Sequence, residues 1–262
     1  MRFGLDPQSG ARRSAFTLIE LLIAIAMIAV LLGIILPALG RTMEAGRAFK
    51  CQMSMRSVAM DFQAFADDML HADRGDDQDG ERFHLETFQE SEYAVHEFWK
   101  WEDEQFHVMP DAAGNDPMRC PSIDGDLVLK KNVACSKGAV SPPQNVSFGF
   151  NARLHRAEVT DDQGNVKAAD VKLDARVLEM PGVPLLWDVD GRVATQKGVS
   201  PVFSAPALDS KQLYKNDKYW FPGMRHNGGM NVAFIDGRVE STARPLEESA
   251  SGWQWGAQFP YN

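Results

Sequence analysis

The chain has 262 residues and a mass of 29.1 kDa, with 44% apolar content and 27 basic against 36 acidic side chains, a formal charge of −9. That length is ample for a real core, and 21 glycines and 14 prolines are too few for a collagen-like or wholly disordered chain. The acidic balance excludes a general nucleic-acid binder, which needs a basic surface to displace counterions. The average conceals a sharp segregation at the N-terminus.

Phe16 to Leu39 reads FTLIELLIAIAMIAVLLGIILPAL, an apolar run whose one ionisable side chain is Glu20. As a helix it extends roughly 36 Å, enough to cross a hydrocarbon core of about 30 Å. It is too long for the apolar region of a secretory signal peptide, and no small-x-small cleavage site follows a short run. Arg12 and Arg13 precede the segment while Arg41, Arg47, Lys50 and Arg56 follow it, so charge counting leaves the orientation open. A carboxylate in hydrocarbon is costly without relief at the interface or a partner, which makes Glu20 the chemical anomaly of the run.

Beyond Pro37 the helical pattern turns amphipathic. Met55, Val58, Phe62, Phe65 and Met69 step by three and four residues along one face, as a helix covering a globular domain requires. One helix is expected from Phe16 to about Leu70, with residues 16–39 as its membrane and assembly half and 40–70 as its amphipathic half. Its weakest stretch lies around Pro37, Gly40 and Gly46, each glycine costing about 1 kcal/mol relative to Ala.

Residues 71–262 form the expected globular domain. It opens on an acidic loop at 71–81, followed by an aromatic-rich stretch from Phe88 to Phe106 that reads as a short helix leading into a loop. Strand signals follow at Val146–Phe150, Arg156–Thr160, Val166–Leu173 around the turn at 161–164, and Leu185–Val189. Asn231–Ile235 and Arg238–Glu240 flank Asp236-Gly237, a two-residue hairpin signal of the type I′ kind, within a hairpin region at 226–240. Short strands after one long helix predict an α+β fold, the helix packed on a mainly antiparallel sheet.

The N-terminal residues Arg12-Arg13-Ser14-Ala15-Phe16-Thr17-Leu18-Ile19-Glu20 resemble the start of type IV prepilins and type II secretion pseudopilins. The resemblance implies a pilin-like fold, removal of a basic leader (residues 1–15) by a prepilin peptidase after Ala15, and N-methylation of Phe16. The family usually has Gly at the residue before the cut, where this chain has Ala15. Glu20 matches the family's acidic residue five places into the mature chain, and Pro37 matches a proline that often kinks the helix. In a helical fibre the Glu20 carboxylate would neutralise the new amine of a neighbouring subunit.

A second resemblance is to a bacterial prepilin-like family with a His-nine-residues-Asp-Gly motif, carried here by His226, Asp236 and Gly237. Lys50-Cys51, Arg119-Cys120-Pro121-Ser122, Ser147-Phe148-Gly149-Phe150-Asn151 and Leu185-Leu186-Trp187-Asp188 match the same family in order. The motif comes with no assigned role. No nucleophile elbow, His-x-x-x-His pair or phosphate-cradling glycine loop accompanies it, so no catalytic residue is assigned and the protein is read as a non-enzyme.

Hard-cation sites need clustered oxygens. Asp73, Asp76, Asp77, Asp79 and Glu81 offer one acidic cluster, without EF-hand spacing; Asp188, Asp190 and Asp236 offer another. Some pseudopilins bind calcium in a loop of the sheet, so the resemblance makes Ca2+ the candidate ion at the second set; no other cofactor is expected. The three cysteines fit no zinc spacing. In an oxidising compartment one disulfide is expected. Cys120 pairing with Cys135 closes a short loop, whereas Cys120 pairing with Cys51 pins the long helix to the domain; the sequence leaves both open.

The resemblance implies a structural subunit of a type II secretion pseudopilus or related pilus-like fibre. Its partners would be the prepilin peptidase, other pilin or pseudopilin subunits and an assembly platform. It would sit in the bacterial inner membrane as a single-pass protein, with its domain in the periplasm or on a fibre. The alternative is a membrane-anchored periplasmic binding module that takes a glycan or exported protein through Trp99, Trp101, Trp220, Trp253 and Trp255.

Overall fold

The expected helix is present as one uninterrupted element. In the computed structural model, which describes residues 17–71, 82–93, 105–107, 119–123, 128–130, 147–160, 163–197, 201–206, 214–215 and 218–255, helix α1 spans Leu18–His71. It continues through Pro37, although proline removes one backbone donor from the helical ladder. The chain divides into two compact units, Met1–Met43 and Glu44–Asn262, with the boundary inside α1.

In the first unit every large apolar side chain from Leu18 to Leu39 is exposed, between 49% and 82%. This is a helix apolar all round with no protein core to cover it, long and apolar enough to cross a membrane.

In the second unit α1 buries a stripe. Cys51, Met55, Val58, Ala59, Phe62 and Ala66 are fully buried, and Phe65 and Met69 pack against the core from its edge. The expected face is therefore the observed one, extended one turn back to Cys51. Helix α2 (Leu85–Tyr93) lies against this stripe: Phe62 meets Phe88 edge-on at 5.2 Å between ring centroids, and Tyr93 Oη donates to Asp61 Oδ2 at 2.6 Å.

The strands are β1 (Gln105–His107), β2 (Val128–Lys130), β3 (Phe148–Asn151), β4 (Arg156–Thr160), β5 (Val166–Asp170) and β6 (Pro184–Asp188). After helix α3 (Gly191–Gln196) come β7 (Phe203–Ser204), β8 (Tyr214–Lys215), β9 (Lys218–Tyr219), β10 (Met230–Phe234) and β11 (Val239–Thr242), then helix α4 (Pro245–Ser251). The main sheet has five strands in the order β11-β10-β6-β3-β7, antiparallel except for the β3–β7 pair. The fold is α+β, a long helix followed by a mainly antiparallel mixed sheet. Every residue of β6 and of β10 is buried, so both faces of the sheet's centre are covered. Trp187 in β6 lies edge-on to Trp220 and Trp255, at 6.1 and 5.5 Å.

The hairpin joining β10 to β11 differs from the expected type I′ turn. Gly237 N–H donates to Phe234 O and Phe234 N–H to Arg238 O, and of the loop residues only Gly237 has positive φ, at 80°. This is a three-residue loop, Ile235-Asp236-Gly237, with a glycine bulge. Asp236 Oδ1 accepts from Arg238 N–H at 3.0 Å, so the aspartate stabilises the turn from within. Positive φ occurs twice in succession at Asn227 (54°) and Gly228 (77°), where His226 and Gly229 exchange backbone hydrogen bonds. The two-residue turn is thus at the His226 end of the motif. The acidic loop at 71–81 lies, apart from His71, outside the described residues, as do Trp99, Trp101 and the turn residues 161–162.

Candidate functional site

Four elements of the second unit bring chemically distinctive side chains to one buried point. Cys51 comes from the buried face of α1, one turn before Met55. Cys120 opens a turn closed by Ile123 N–H donating to Cys120 O at 3.0 Å. Asp188 ends β6, and His226 precedes the tight Asn227-Gly228 turn that leads into β10. Cys51 Sγ donates to Asp188 Oδ1 at 3.4 Å, Cys120 Sγ lies 3.3 Å from His226 Nε2, and His226 Nε2 lies 3.9 Å from Asp188 Oδ2. The four ligand-type atoms all lie within 4.8 Å of one another, and all four residues are buried.

The surroundings orient this group. Asn231 N–H donates to Asp188 Oδ2 at 2.8 Å, as expected where β10 runs beside the end of β6. Arg225 donates through Nη2 to Asp188 Oδ1 (2.5 Å) and to Ser147 O (2.9 Å), and through Nη1 to Val189 O (2.5 Å). Glu44, two helical turns before Cys51 on α1, places Oε1 at 3.7 Å from His226 Nδ1. A second link from α1 lies alongside: Gln52 Nε2 donates to Ser241 Oγ at 2.8 Å and to Asn231 Oδ1 at 3.3 Å.

Electrostatically the two thiols diverge. The neighbouring Cys51, then the His226 ring and the Arg225 guanidinium, hold Cys120 well below the usual thiol range against the opposing effect of burial. Cys51 is pushed upward by the Cys120 sulfur, by burial and by the Asp188 carboxylate. Burial raises Asp188, with Arg225 opposing, while the Cys120 sulfur raises His226. Of the two thiols, Cys120 is thus the more readily ionised, beside the His226 ring and the Arg225 guanidinium.

The structure sorts the residues singled out from sequence. Asp188 and His226 converge, and they converge with Cys51 and Cys120. Asp190 does not join them: its Oδ1 accepts from the backbone N–H groups of Arg192 and Val193 at the start of α3. Asp236 is exposed in the β10–β11 turn, so the expected oxygen-only set of Asp188, Asp190 and Asp236 is not formed. Proximity in sequence is misleading here because Asp188 ends β6 while Asp190, already outside the strand, caps the start of α3. Cys51 and Cys120 are neighbouring free thiols; Cys135 lies outside the described residues, as do Ala15, Phe16 and the acidic set Asp73, Asp76, Asp77, Asp79 and Glu81. Trp220 and Trp255 are buried and Trp253 packs against the core, so these three form packing rather than an exposed binding platform. Sequence reading did not single out Arg225 or Glu44. A cation directly before His226 was the available signal for Arg225; Glu44 carried none.

At the other end of the chain Glu20 has a defined local role. Thr17 N–H and Oγ1 both donate to Glu20 Oε2 at 2.9 Å, and Glu20 N–H donates to Thr17 Oγ1 at 3.3 Å. This reciprocal arrangement is a capping box, and it accounts for α1 beginning at Leu18.

Residues 10–36 match the family model of the prokaryotic N-terminal methylation motif. No curated protein and no solved structure matches the chain. The motif supports a type IV pilin- or pseudopilin-like subunit, and among the described residues one N-terminal helix is long and apolar enough to cross a membrane, consistent with a single-pass anchor. Such a motif implies processing by a prepilin peptidase and assembly with other pilin subunits. The matched segment ends at Leu36, well short of His226, Asp236 and Gly237.

Proposed function

We propose that the protein is a non-enzymatic pseudopilin-like subunit that is cleaved after Ala15, methylated at Phe16 and assembled through its N-terminal helix into a type II secretion pseudopilus or related fibre. The observation that carries this reading is the first half of α1. It carries most of the methylation motif, and as far as Leu39 it exposes every large apolar side chain and holds a single ionisable group, Glu20, near its start.

Such a surface needs a membrane before assembly and neighbouring helices after it. Within a bundle of like helices, the Glu20 carboxylate would need a cation, and the amine created at Phe16 of a neighbouring chain would supply one. Pro37 removes one backbone hydrogen bond at mid-helix and gives the assembly half a place to bend. The head would lie on the periplasmic side of the inner membrane or on the fibre surface, joined by a prepilin peptidase, other pilin subunits and an assembly platform as partners.

The test is the intact mass of the protein extracted from membranes. A chain starting at Phe16 with one added methyl group is expected. An unprocessed N-terminus in cells with an active prepilin peptidase would overturn the reading.

A further inference from the structure

We propose that Cys51, Cys120, Asp188 and His226 form a closed four-ligand site for a divalent ion of the zinc class, and that the ion fastens α1 to the sheet. The inference rests on the second unit alone and is independent of how the N-terminal helix assembles.

Geometry is the first argument. Ligand atoms at zinc bond lengths of roughly 2.0–2.3 Å stand about 3.3–3.8 Å apart at the corners of a tetrahedron. The separations here are 3.4 Å for Cys51 Sγ to Asp188 Oδ1, 3.3 Å for Cys120 Sγ to His226 Nε2, and 3.9 Å for His226 Nε2 to Asp188 Oδ2. Four donors supplied by a helix, a turn, a strand end and a bend lie within 4.8 Å of one another, close enough to draw in by a few tenths of an ångström to about an ångström around one small ion.

The second argument is the outer layer. A metal-bound histidine usually turns its other ring nitrogen to a carboxylate or carbonyl, which fixes the tautomer. His226 Nε2 faces the group while Nδ1 faces Glu44 at 3.7 Å with no hydrogen bond satisfied. Asp188 is likewise held by Arg225 and Asn231 N–H, leaving lone pairs on its oxygens for an ion.

Charge is the third. Two thiolates and a carboxylate carry three negative charges; a divalent cation and Arg225 neutralise them in a site where Asp188 has no exposed surface. Binding releases the thiol protons to solvent.

Donor chemistry selects the ion. Calcium takes oxygen ligands, whereas two thiolates with an imidazole and a carboxylate suit zinc. Four protein ligands in a buried position leave no open coordination site, which assigns the ion a structural rather than a catalytic role. The competing outcome is a Cys51–Cys120 disulfide, which would use the two sulfurs and leave His226 and Asp188 without a shared purpose.

The experiment uses the full-length protein, extracted in detergent under anaerobic conditions and incubated with Zn2+, then with Co2+ in place of zinc. About one zinc per chain is expected from elemental analysis, and the cobalt form should show a thiolate charge-transfer band with the intense ligand-field bands of a tetrahedral site. Cys51→Ser and His226→Gln should lose the metal, Glu44→Gln should weaken its affinity by about 10- to 100-fold, and Asp190→Asn and Asp236→Asn should retain it. The wild-type measurements decide the question even if a variant fails to fold. Trace metal only, cobalt bound without a thiolate band, or an intact mass showing a Cys51–Cys120 disulfide would overturn the proposal.

Discussion

Asp188 and Arg225 form an ion pair in which the carboxylate is completely buried and the arginine side chain is 17% exposed, joined at 2.5 Å. Arg225 also ties down the carbonyls of Ser147 and Val189, so one side chain spans the start of β3 and the end of β6. Breaking a buried pair from one side leaves a charge with no partner, and the cost is about 3–5 kcal/mol. Arg225→Met is therefore expected to destabilise the metal-free protein by about that amount, while Asp188→Leu combined with Arg225→Met should recover much of the loss. Denaturant unfolding in chelator, followed by tryptophan fluorescence, measures both. Equal destabilisation by the single and double variants would contradict the pairing.

Tyr93 makes a pH-dependent contribution. Burial first, and then the hydrogen bond to Asp61, raise its phenol far above the usual tyrosine range. A raised folded pKa means that the stability is present in full below the unfolded value of about 10 and is lost as pH rises beyond it. Tyr93→Phe should cost about 1.5–3 kcal/mol at pH 8, the range for a hydrogen bond to a charged group. The difference between wild type and variant should shrink above about pH 10, because only the wild type gains the ionised Tyr93 in its unfolded state. A constant difference across that range would mean that the loss is packing alone.

What sequence made visible was periodic or local. The three- and four-residue steps from Met55 to Met69 located the buried face of α1, and the apolar runs at 185–189 and 231–235 located β6 and β10. The capping of α1 by Thr17 and Glu20 follows a spacing readable in the chain, yet Glu20 drew attention as a charge in an apolar run and as a match to the pilin-type acidic residue, not as a cap. The buried quartet was not legible, because Cys51 and Asp188 are 137 residues apart and nothing in either neighbourhood points to the other. Asp188 was grouped by proximity with Asp190, whose own surroundings show why that fails: the first residue ends a strand and the second caps a helix. The strands β7, β8 and β9, at two residues each, are too short to carry a period and are set by pairing partners instead.

Glycines at two positions should respond differently to alanine. At Gly149 in β3 an added Cβ would meet Val189 Cγ1 at 2.5 Å, Pro201 O at 2.6 Å and Ser204 Oγ at 2.9 Å. One of those neighbours is the backbone of Pro201, so the segment leading into β7 must shift, and Gly149→Ala is expected to cost about 1–3 kcal/mol from overpacking. At Gly237 an added Cβ would stand 3.6 Å from Gln63 Oε1, an ordinary contact, and the positive φ supplies the penalty, about 1–2 kcal/mol. Gly237→Asn should recover part of that loss because asparagine tolerates the left-handed region, whereas Gly149→Asn should be worse than Gly149→Ala. Thermal unfolding of the four variants separates strain in φ from lack of space.

Glu20 has two separable duties, and two substitutions distinguish them. In the single chain its carboxylate closes the capping box with Thr17, a role that glutamine also fills. In an assembled fibre the proposed role is to neutralise the amine of a neighbouring chain, which glutamine does not do. Glu20→Gln should therefore leave the start of α1 helical and leader removal intact, yet reduce incorporation into the fibre as strongly as Glu20→Leu. Thr17→Val removes the hydroxyl donor but leaves the charge, so incorporation should persist. Cross-linking of fibre subunits in cells, with intact mass reporting cleavage, reads all three variants. If Glu20→Gln assembled like wild type while Thr17→Val did not, the carboxylate would matter for capping alone, and the charge-pairing account of assembly would fail.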